Sequence, residues 1–250
     1  MKLKSKNGYN IEYDEYIKEN DEVIIIAMHG FAGDRSSKCI KKLRQETLSL
    51  KIGLITFDWP SHGESEVNGE YLTIDNCLND LETIYNYVKQ KNSKSKIIAF
   101  STSFGGYLTL LYNIKKENKF DGIILRAPAL KMYDVLMNNI IDSSMLDSLK
   151  TNGYFNFGFE RIIKIENNFI TDLKNNNIFE LYKTNKFNDI DIIHGTKDTT
   201  VPIIDSVQFC ETNNFNLYKI EGANHRFDIP GQIEEVVNIA KNIILKKYLN

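Results

Sequence analysis

The stretch Ile97-Ile-Ala-Phe-Ser-Thr-Ser-Phe-Gly-Gly106 is the segment of this 250-residue chain that indicates its fold most clearly. It opens with an apolar run, continues with small residues and leads into the helical pattern of residues 107–115. A strand, a sharp turn and a helix in this order form a nucleophile elbow, which needs small residues two positions on either side of the nucleophile. Around Ser103 those positions hold Ser101 and Gly105, so Ser103 is the predicted nucleophile.

Ser101 stands where glycine usually begins this pattern, and its hydroxyl is a second candidate nucleophile. Its own flanking residues, Ala99 and Ser103, are also small, so side-chain size does not decide between the two serines. Ser103 is favoured because Gly105 and Gly106 follow it and permit close approach of the helix start to the strand. A helix opened by Ser103 would also direct its N-terminus at negative charge developing on a substrate.

Patterns of buried strands and amphipathic helices alternate along most of the chain. Two apolar helix faces are clear, in residues 78–88 and 233–244. The short apolar runs typical of strands buried on both faces lie at residues 22–28, 52–57, 96–100, 122–125, 189–193 and 215–220. Strands that alternate with helices in this way predict an α/β fold with a mostly parallel central sheet and helices on both faces.

The alternation is interrupted once, between residues 131 and 187. This segment contains no buried-strand pattern, is rich in asparagine and aromatic residues, and is too long to be a plain connection. We interpret it as a cap insertion of helices and loops. Because no linker or repeat separates the two halves of the chain, residues 1–250 are predicted to form one domain.

Composition restricts the possible partners. The formal net charge of −2 gives no electrostatic reason to expect nucleic acid or an anionic membrane as a partner. Cys39, Cys77 and Cys210 lack disulfide or metal-ligand spacing, so we expect free thiols, a cytoplasmic location and no metal. No apolar run approaches the length of a membrane-spanning helix. The oligomeric state stays open, with a homodimer as one possibility.

Two loops near the N-terminus follow predicted strands. His29-Gly-Phe-Ala-Gly33 comes directly after the first apolar run, where an elbow hydrolase places one backbone N–H of its oxyanion hole. The residue after the nucleophile supplies the other N–H, so Phe31 and Phe104 are the predicted donors. Asp58-Trp-Pro-Ser-His-Gly-Glu-Ser65 follows the second run, and we interpret it as a structural turn.

The candidate acid and base lie in the last third of the chain. Asp198 and His225 each follow a predicted strand, and the carboxyl ends of parallel strands converge on one crevice. The order serine, aspartate, histidine is the order used by elbow hydrolases, whereas the chain's other three histidines do not fit it. Asp205 is predicted to point away from the crevice, and Asp228 to be a turn residue.

Together these motifs resemble the α/β-hydrolase superfamily, from about residue 23 to the end of the chain. Within it they are similar to small bacterial carboxylesterases that include cinnamoyl (feruloyl) esterases. The matching segments are His29-Gly-Phe31, Asp58-Trp-Pro-Ser-His-Gly-Glu-Ser65, Ala127-Pro-Ala129, Gly195-Thr-Lys-Asp198 and Glu221-Gly-Ala-Asn-His225. Ser101 replaces the elbow glycine, and Thr102 stands where a histidine often precedes the nucleophile.

The resemblance implies hydrolysis of a small-molecule carboxylic ester through an acyl-enzyme, with no metal or organic cofactor. The side chains of Phe31 and Phe104, together with Tyr154 and Phe157 of the cap, are then expected to line the substrate pocket. An acyltransferase or thioesterase with the same three residues is an alternative. A hydrolase-like binding protein without turnover is another, although it would be expected to lack a member of the triad.

Overall fold

A twisted sheet of eight strands forms the centre of the structure. The structure is a computed structural model, and it describes residues 1–116, 119–182 and 189–249. The strands in chain order are β1 (Lys2–Lys4), β2 (Asn10–Tyr16), β3 (Val23–Met28), β4 (Ile52–Phe57), β5 (Lys96–Thr102), β6 (Gly122–Arg126), β7 (Tyr154–Phe157), β8 (Ile163–Glu166), β9 (Ile190–Gly195) and β10 (Asn216–Ile220). The sheet has the order β1-β2-β4-β3-β5-β6-β9-β10, and all pairs from β4 to β10 are parallel.

All six strands expected from apolar runs are present, and the prediction of a mostly parallel sheet is confirmed. Two further strands, β1 and β2, pair antiparallel at one edge. The sequence pattern missed β2 because its acidic residues interrupt the apolar ones. Ile11 and Tyr13 are buried in the core, whereas Glu12 pairs with Lys2 and Asp14 with Arg35.

Helices cover both faces of the sheet. They are α1 (Lys38–Thr47), α2 (Ile74–Lys91), α3 (Phe104–Lys115), α4 (Met132–Val135), α5 (Ser143–Asn152), α6 (Asn167–Asn175), α7 (Ile178–Leu181), α8 (Ile203–Asn213) and α9 (Gln232–Lys247). Successive residues of β3 alternate between two apolar cores: Ile24 packs with α2, α3 and the cap, and Ile25 with α1 and α9. Burial on both faces explains why these strands form continuous apolar runs.

The cap covers the face that carries α2 and α3. Its described part contains α4, a π-helical turn (Leu136–Ile140), α5, α6 and α7, and residues 183–187 of the predicted insertion lie outside the described residues. The prediction of helices and loops alone was wrong in one respect, because β7 and β8 form a small antiparallel sheet. Each strand has four residues and buries one or two of them, Phe155 in β7 and Ile163 and Ile165 in β8. Strands this short show no recognisable period in the sequence.

Loops that follow four of the parallel strands lie at the same end of the sheet, where the strands have their carboxyl ends. The loop after β3 begins at His29, the elbow follows β5, and the loop after β9 carries Asp198. His225 lies in the loop after β10. Open parallel sheets bind their ligands in the crevice outside these strand ends, so the fold itself brings the predicted residues to one place.

Candidate active site

The turn between β5 and α3 holds Ser103 in a strained backbone conformation. Its φ of 52° and ψ of −115° lie outside the regions that non-glycine residues favour. The backbone N–H of Ser103 donates to the carbonyl oxygen of Arg126 at 3.0 Å, which fixes the turn to β6. A Cβ atom at Gly105 would lie 2.5 Å from the carbonyl oxygen of His29, so only glycine lets the helix approach the neighbouring loop this closely.

Ser101 points away from this crevice. Its Oγ lies 2.6 Å from Oγ1 of Thr109 in α3, and the side chain is fully buried between strand and helix. Thr109 Oγ1 in turn donates to the carbonyl oxygen of Gly105 at 2.8 Å. The residue that replaces the usual elbow glycine therefore ties β5 to α3, and its hydroxyl is not positioned to act as a nucleophile.

The structure brings Ser103, His225 and Asp198 into one hydrogen-bonded chain. Nε2 of His225 lies 3.1 Å from Oγ of Ser103, and Nδ1 lies 2.7 Å from Oδ2 of Asp198. A carboxylate oxygen can only accept, so Nδ1 carries the proton and the lone pair of Nε2 faces the serine hydroxyl. This arrangement can remove a proton from Ser103 and hold the resulting imidazolium against a carboxylate.

Four hydrogen bonds hold the carboxylate of Asp198. Oδ1 accepts the backbone N–H groups of Thr200 at 2.9 Å and Val201 at 2.8 Å, and Oδ2 accepts from His225 and from Nε2 of His194 at 3.2 Å. Burial disfavours the ionised form, but the hydrogen bonds from His194 and His225 outweigh it and hold the pKa of Asp198 well below its usual range. The acid is therefore a preorganised anion.

Sequence reasoning missed the contact of His194 with the acid. Its Nδ1 lies 2.8 Å from Oγ of Ser206, and Nε2 also lies 3.0 Å from the carbonyl oxygen of Val201, so Nε2 is the protonated nitrogen. The available signal was the spacing of His194 and Asp198, four residues apart across one tight loop at the end of β9.

The two rival carboxylates have other partners. Oδ1 of Asp205 lies 2.6 Å from Nζ of Lys131, and Oδ2 of Asp228 accepts from the amide of Asn224 at 3.2 Å. Neither is hydrogen-bonded to His225. The geometry thus favours Asp198 as the carboxylate that orients the base.

The backbone N–H groups of Phe31 and Phe104 are the candidates for an oxyanion hole at Ser103. A Cβ atom at Gly30 would lie 3.1 Å from Cβ of Ser103, which shows how closely the loop before Phe31 approaches the serine. Phe104 is the first residue of α3, where helix N–H groups have no partner within the helix. Within the described part of the chain neither the N–H of Phe31 nor that of Phe104 donates a hydrogen bond. Both are available to an oxyanion formed on a substrate.

His29 connects this loop to the one after β4. Its Nδ1 lies 2.8 Å from the carbonyl oxygen of Gly30, and its Nε2 accepts the backbone N–H of Trp59 at 3.3 Å. Burial lowers the pKa of His29, so the imidazole is neutral. In the same loop Asp58 accepts the N–H groups of Arg35 and Glu64, at 2.8 and 2.9 Å, as expected for a structural turn.

The side chain of Phe31 is packed among other rings of the protein. Its centroid lies 5.5 Å from those of His62 and Phe104, 5.8 Å from that of Phe157 and 6.2 Å from that of Phe169. His62 donates from Nδ1 to the carbonyl oxygen of Pro60, while its Nε2 is buried and without a partner in the described structure. Burial, with a smaller contribution from His29, lowers the pKa of His62 to about 3.

This buried neutral imidazole should make folding sensitive to acid. The unfolded chain binds a proton at His62 below a pKa of roughly 6.5, and the folded protein does so only near pH 3, so stability falls as the pH drops below about 6.5. Between pH 7 and pH 5, we expect His62 to contribute a loss of about 2 kcal/mol in the free energy of unfolding. Urea unfolding of the wild type and of His62→Gln at both pH values measures this loss, which the variant should lack. An equal loss in both proteins would contradict the prediction.

A groove of about 1110 Å³ opens on Ser103 and His225. Phe31 lines it, but the other three residues predicted for the pocket, Phe104, Tyr154 and Phe157, do not. Phe104 is fully buried, and the ring of Tyr154 lies under Nζ of Lys164 at 4.5 Å. The pocket prediction is corrected accordingly: Phe104 is buried in the core, Phe157 packs against it, and the groove lies on the side of α1 and the loop after His225.

The described residues contain neither a metal-binding cluster nor a membrane-spanning helix. No group of three or more histidine, cysteine, aspartate and glutamate side chains is arranged to hold a metal ion. No helix there has the length and apolar character needed to cross a bilayer.

Comparisons with known proteins identify the family and the fold of the chain. A family model described as serine aminopeptidase, S33, matches residues 19–156, more than half of the chain, while no curated protein gives a significant match. Est1E from Butyrivibrio proteoclasticus, solved with ferulic acid bound, is 19% identical over 100% of both chains, with a TM-score of 0.83. Mouse alpha/beta hydrolase domain-containing protein 10 is 18% identical over 98% of both chains, with a TM-score of 0.75.

Monoacylglycerol lipase from Paleococcus ferrophilus is similar over 94% of this chain and 98% of its own, at 17% identity and a TM-score of 0.70. At such low identities the likeness to these structures shows the fold alone. That fold is the α/β-hydrolase fold, with the mostly parallel sheet that the sequence predicted.

Proposed function

Because the chain belongs to the serine aminopeptidase S33 family of α/β hydrolases, we propose that it is a serine esterase that cleaves a carboxylic ester through an acyl-enzyme. Family and fold together make it a hydrolase. The finer assignment is supported by one observation above all, the chain of hydrogen bonds from Ser103 through His225 to Asp198, at 3.1 and 2.7 Å.

In the proposed mechanism, Oγ of Ser103 attacks the ester carbonyl carbon while Nε2 of His225 takes the hydroxyl proton. The backbone N–H groups of Phe31 and Phe104 donate to the oxyanion of the tetrahedral intermediate. The carbon–oxygen bond to the alcohol then breaks, and His225 returns the proton to the leaving oxygen. Water attacks the acyl-enzyme by the same route, releasing the acid and regenerating Ser103.

The choice of an ester substrate distinguishes this proposal from its alternatives. The family description refers to peptide bonds, and the same residues could serve a thioesterase or an acyltransferase. A non-catalytic binding protein is disfavoured because the hydrogen-bonded chain is complete. As part of the proposal we place the activity in the cytoplasm, in keeping with three buried free thiols, Cys39, Cys77 and Cys210.

A substrate panel tests the assignment. The purified protein is assayed with p-nitrophenyl acetate, butyrate and octanoate, with an amino-acid p-nitroanilide, and with an acyl-coenzyme A. We expect kcat/KM to be highest for an ester and a fluorophosphonate probe to inactivate the protein stoichiometrically. Preferred cleavage of the anilide or of the thioester would replace the esterase assignment. No turnover and no labelling would leave the binding protein as the better reading.

A further inference from the structure

The groove beside Ser103 has walls from three parts of the chain. One wall is the segment from the loop after β3 into α1, and another is the segment that follows His225, residues 226–231 with Ile233 and Glu234 at the start of α9. The turn between β7 and β8 contributes Phe159, Glu160 and Arg161. Because Ser103 and His225 lie on its surface, any ester that Ser103 attacks must extend into this groove.

The charges along the groove balance each other. Seven basic and seven acidic side chains line it, so their formal charges sum to zero. Arg35 alone is paired with Asp14, Asp58 and Glu64. Three of the seven carboxylates therefore share one guanidinium. An anionic substrate would lose its hydration without gaining a net attraction.

Arg126 and Arg161, two further arginines of the groove, donate their hydrogen bonds to backbone carbonyl oxygens. Arg161 donates to the oxygens of residues 63, 65 and 67, which also fastens the turn of the cap to the body of the protein. Nη2 of Arg126 donates to the carbonyl oxygens of His225 and Arg226 at 3.1 Å each. Both guanidinium groups therefore hold loops of the groove in place.

Two large apolar side chains on the groove walls are exposed. Phe159 in the turn of the cap is 69% exposed, and Ile229 in the loop after His225 is 56% exposed. They come from different segments, and the guanidinium of Arg226, which is in the same loop as Ile229, lies 5.1 Å from the ring centroid of Phe159. Exposed apolar residues that flank a catalytic serine are expected to gain most by covering an apolar part of the substrate.

We propose that this groove selects an uncharged ester and binds its apolar group against Phe159 and Ile229. The inference rests on the proposed function and narrows its substrate class. A volume of about 1110 Å³ is larger than an acetyl ester needs, so the groove can hold a medium-length alkyl or an aryl group. The cap acts in this selection through the exposed turn at Phe159, and not through its buried aromatic residues.

The specificity ratio between two esters tests the apolar part. In Phe159→Ser and Ile229→Ser we expect kcat/KM for p-nitrophenyl octanoate, relative to that for the acetate, to fall about tenfold. Ile204→Ser is the matched control, since Ile204 is 63% exposed on α8 but lies outside the groove. Its ratio should equal that of the wild type. An unchanged ratio in the groove variants, or an equal fall for both esters, would overturn the inference.

A charged ester tests whether the groove selects an uncharged substrate. We expect kcat/KM for the hemisuccinate ester of p-nitrophenol to be about tenfold below that for the butyrate, which has a similar length but no charge. A hemisuccinate that equals or exceeds the butyrate would refute selection of a neutral ester. If neither ester is cleaved and the fluorophosphonate does not react, the proposed function itself has failed. Cleavage without the expected ratios contradicts only the assignment of the groove.

Discussion

Ser103→Ala is expected to lower kcat for the best ester of the panel by about 10⁶-fold and to abolish labelling by a fluorophosphonate. The hydroxyl of Ser103 is the one serine hydroxyl hydrogen-bonded to His225 in the described part of the chain. Without it no acyl-enzyme can form, and the remaining groups can only assist attack by water. A steady-state assay measures the loss in kcat, stopped-flow should show that the burst of p-nitrophenol is absent, and circular dichroism checks that the fold is retained.

Ser101→Gly is the matched control for this experiment. It restores the residue that usually begins the elbow and removes only the hydrogen bond to Thr109, at 2.6 Å. We expect the variant to keep its burst and its labelling, with some loss of thermal stability. A mass spectrum that locates the label on Ser101 in the wild type would refute the assignment of Ser103.

The features that depend on local sequence, the buried strands and the elbow, could be predicted. Parallel strands buried on both faces must be apolar throughout, so β3 to β6 and β9 are visible as short apolar runs. The elbow is equally local, because its glycines are required by close backbone approach. Ser103, Asp198 and His225 could be selected because each follows a strand and the fold imposes their order along the chain.

The parts that depend on tertiary packing were not predictable. Phe157 and Phe159 are two residues apart in the chain, yet Phe157 stacks on Phe31 whereas Phe159 is exposed in the groove. Aromatic content alone cannot distinguish these environments. The contact between His194 and Asp198 could not be predicted for the same reason. It depends on how the loop after β9 places both side chains next to Val201.

The role of Asp198 in orienting His225 can be tested by replacing its carboxylate with an amide. In Asp198→Asn, the amide oxygen should take the position of Oδ1, because the N–H groups of Thr200 and Val201 require an acceptor there. The amide NH₂ then replaces Oδ2 and faces His225 and the N–H of His194. His225 can satisfy this donor only through an unprotonated Nδ1, which leaves its proton on Nε2, directed at Ser103.

In that tautomer His225 cannot accept the serine proton, so we expect kcat of Asp198→Asn to fall by about 10⁴-fold while the fold is retained. Asp205→Asn and Asp228→Asn are the comparisons. Asp205 pairs with Lys131 and Asp228 with Asn224, and neither holds the base, so their kcat values should stay within about threefold of the wild type. Steady-state assays of the three variants on one ester measure their kcat values and show which carboxylate orients the base. A mild effect at Asp198 with a severe one at Asp205 or Asp228 would assign the acid to the other residue, because only the carboxylate that sets the tautomer of His225 can have so large an effect.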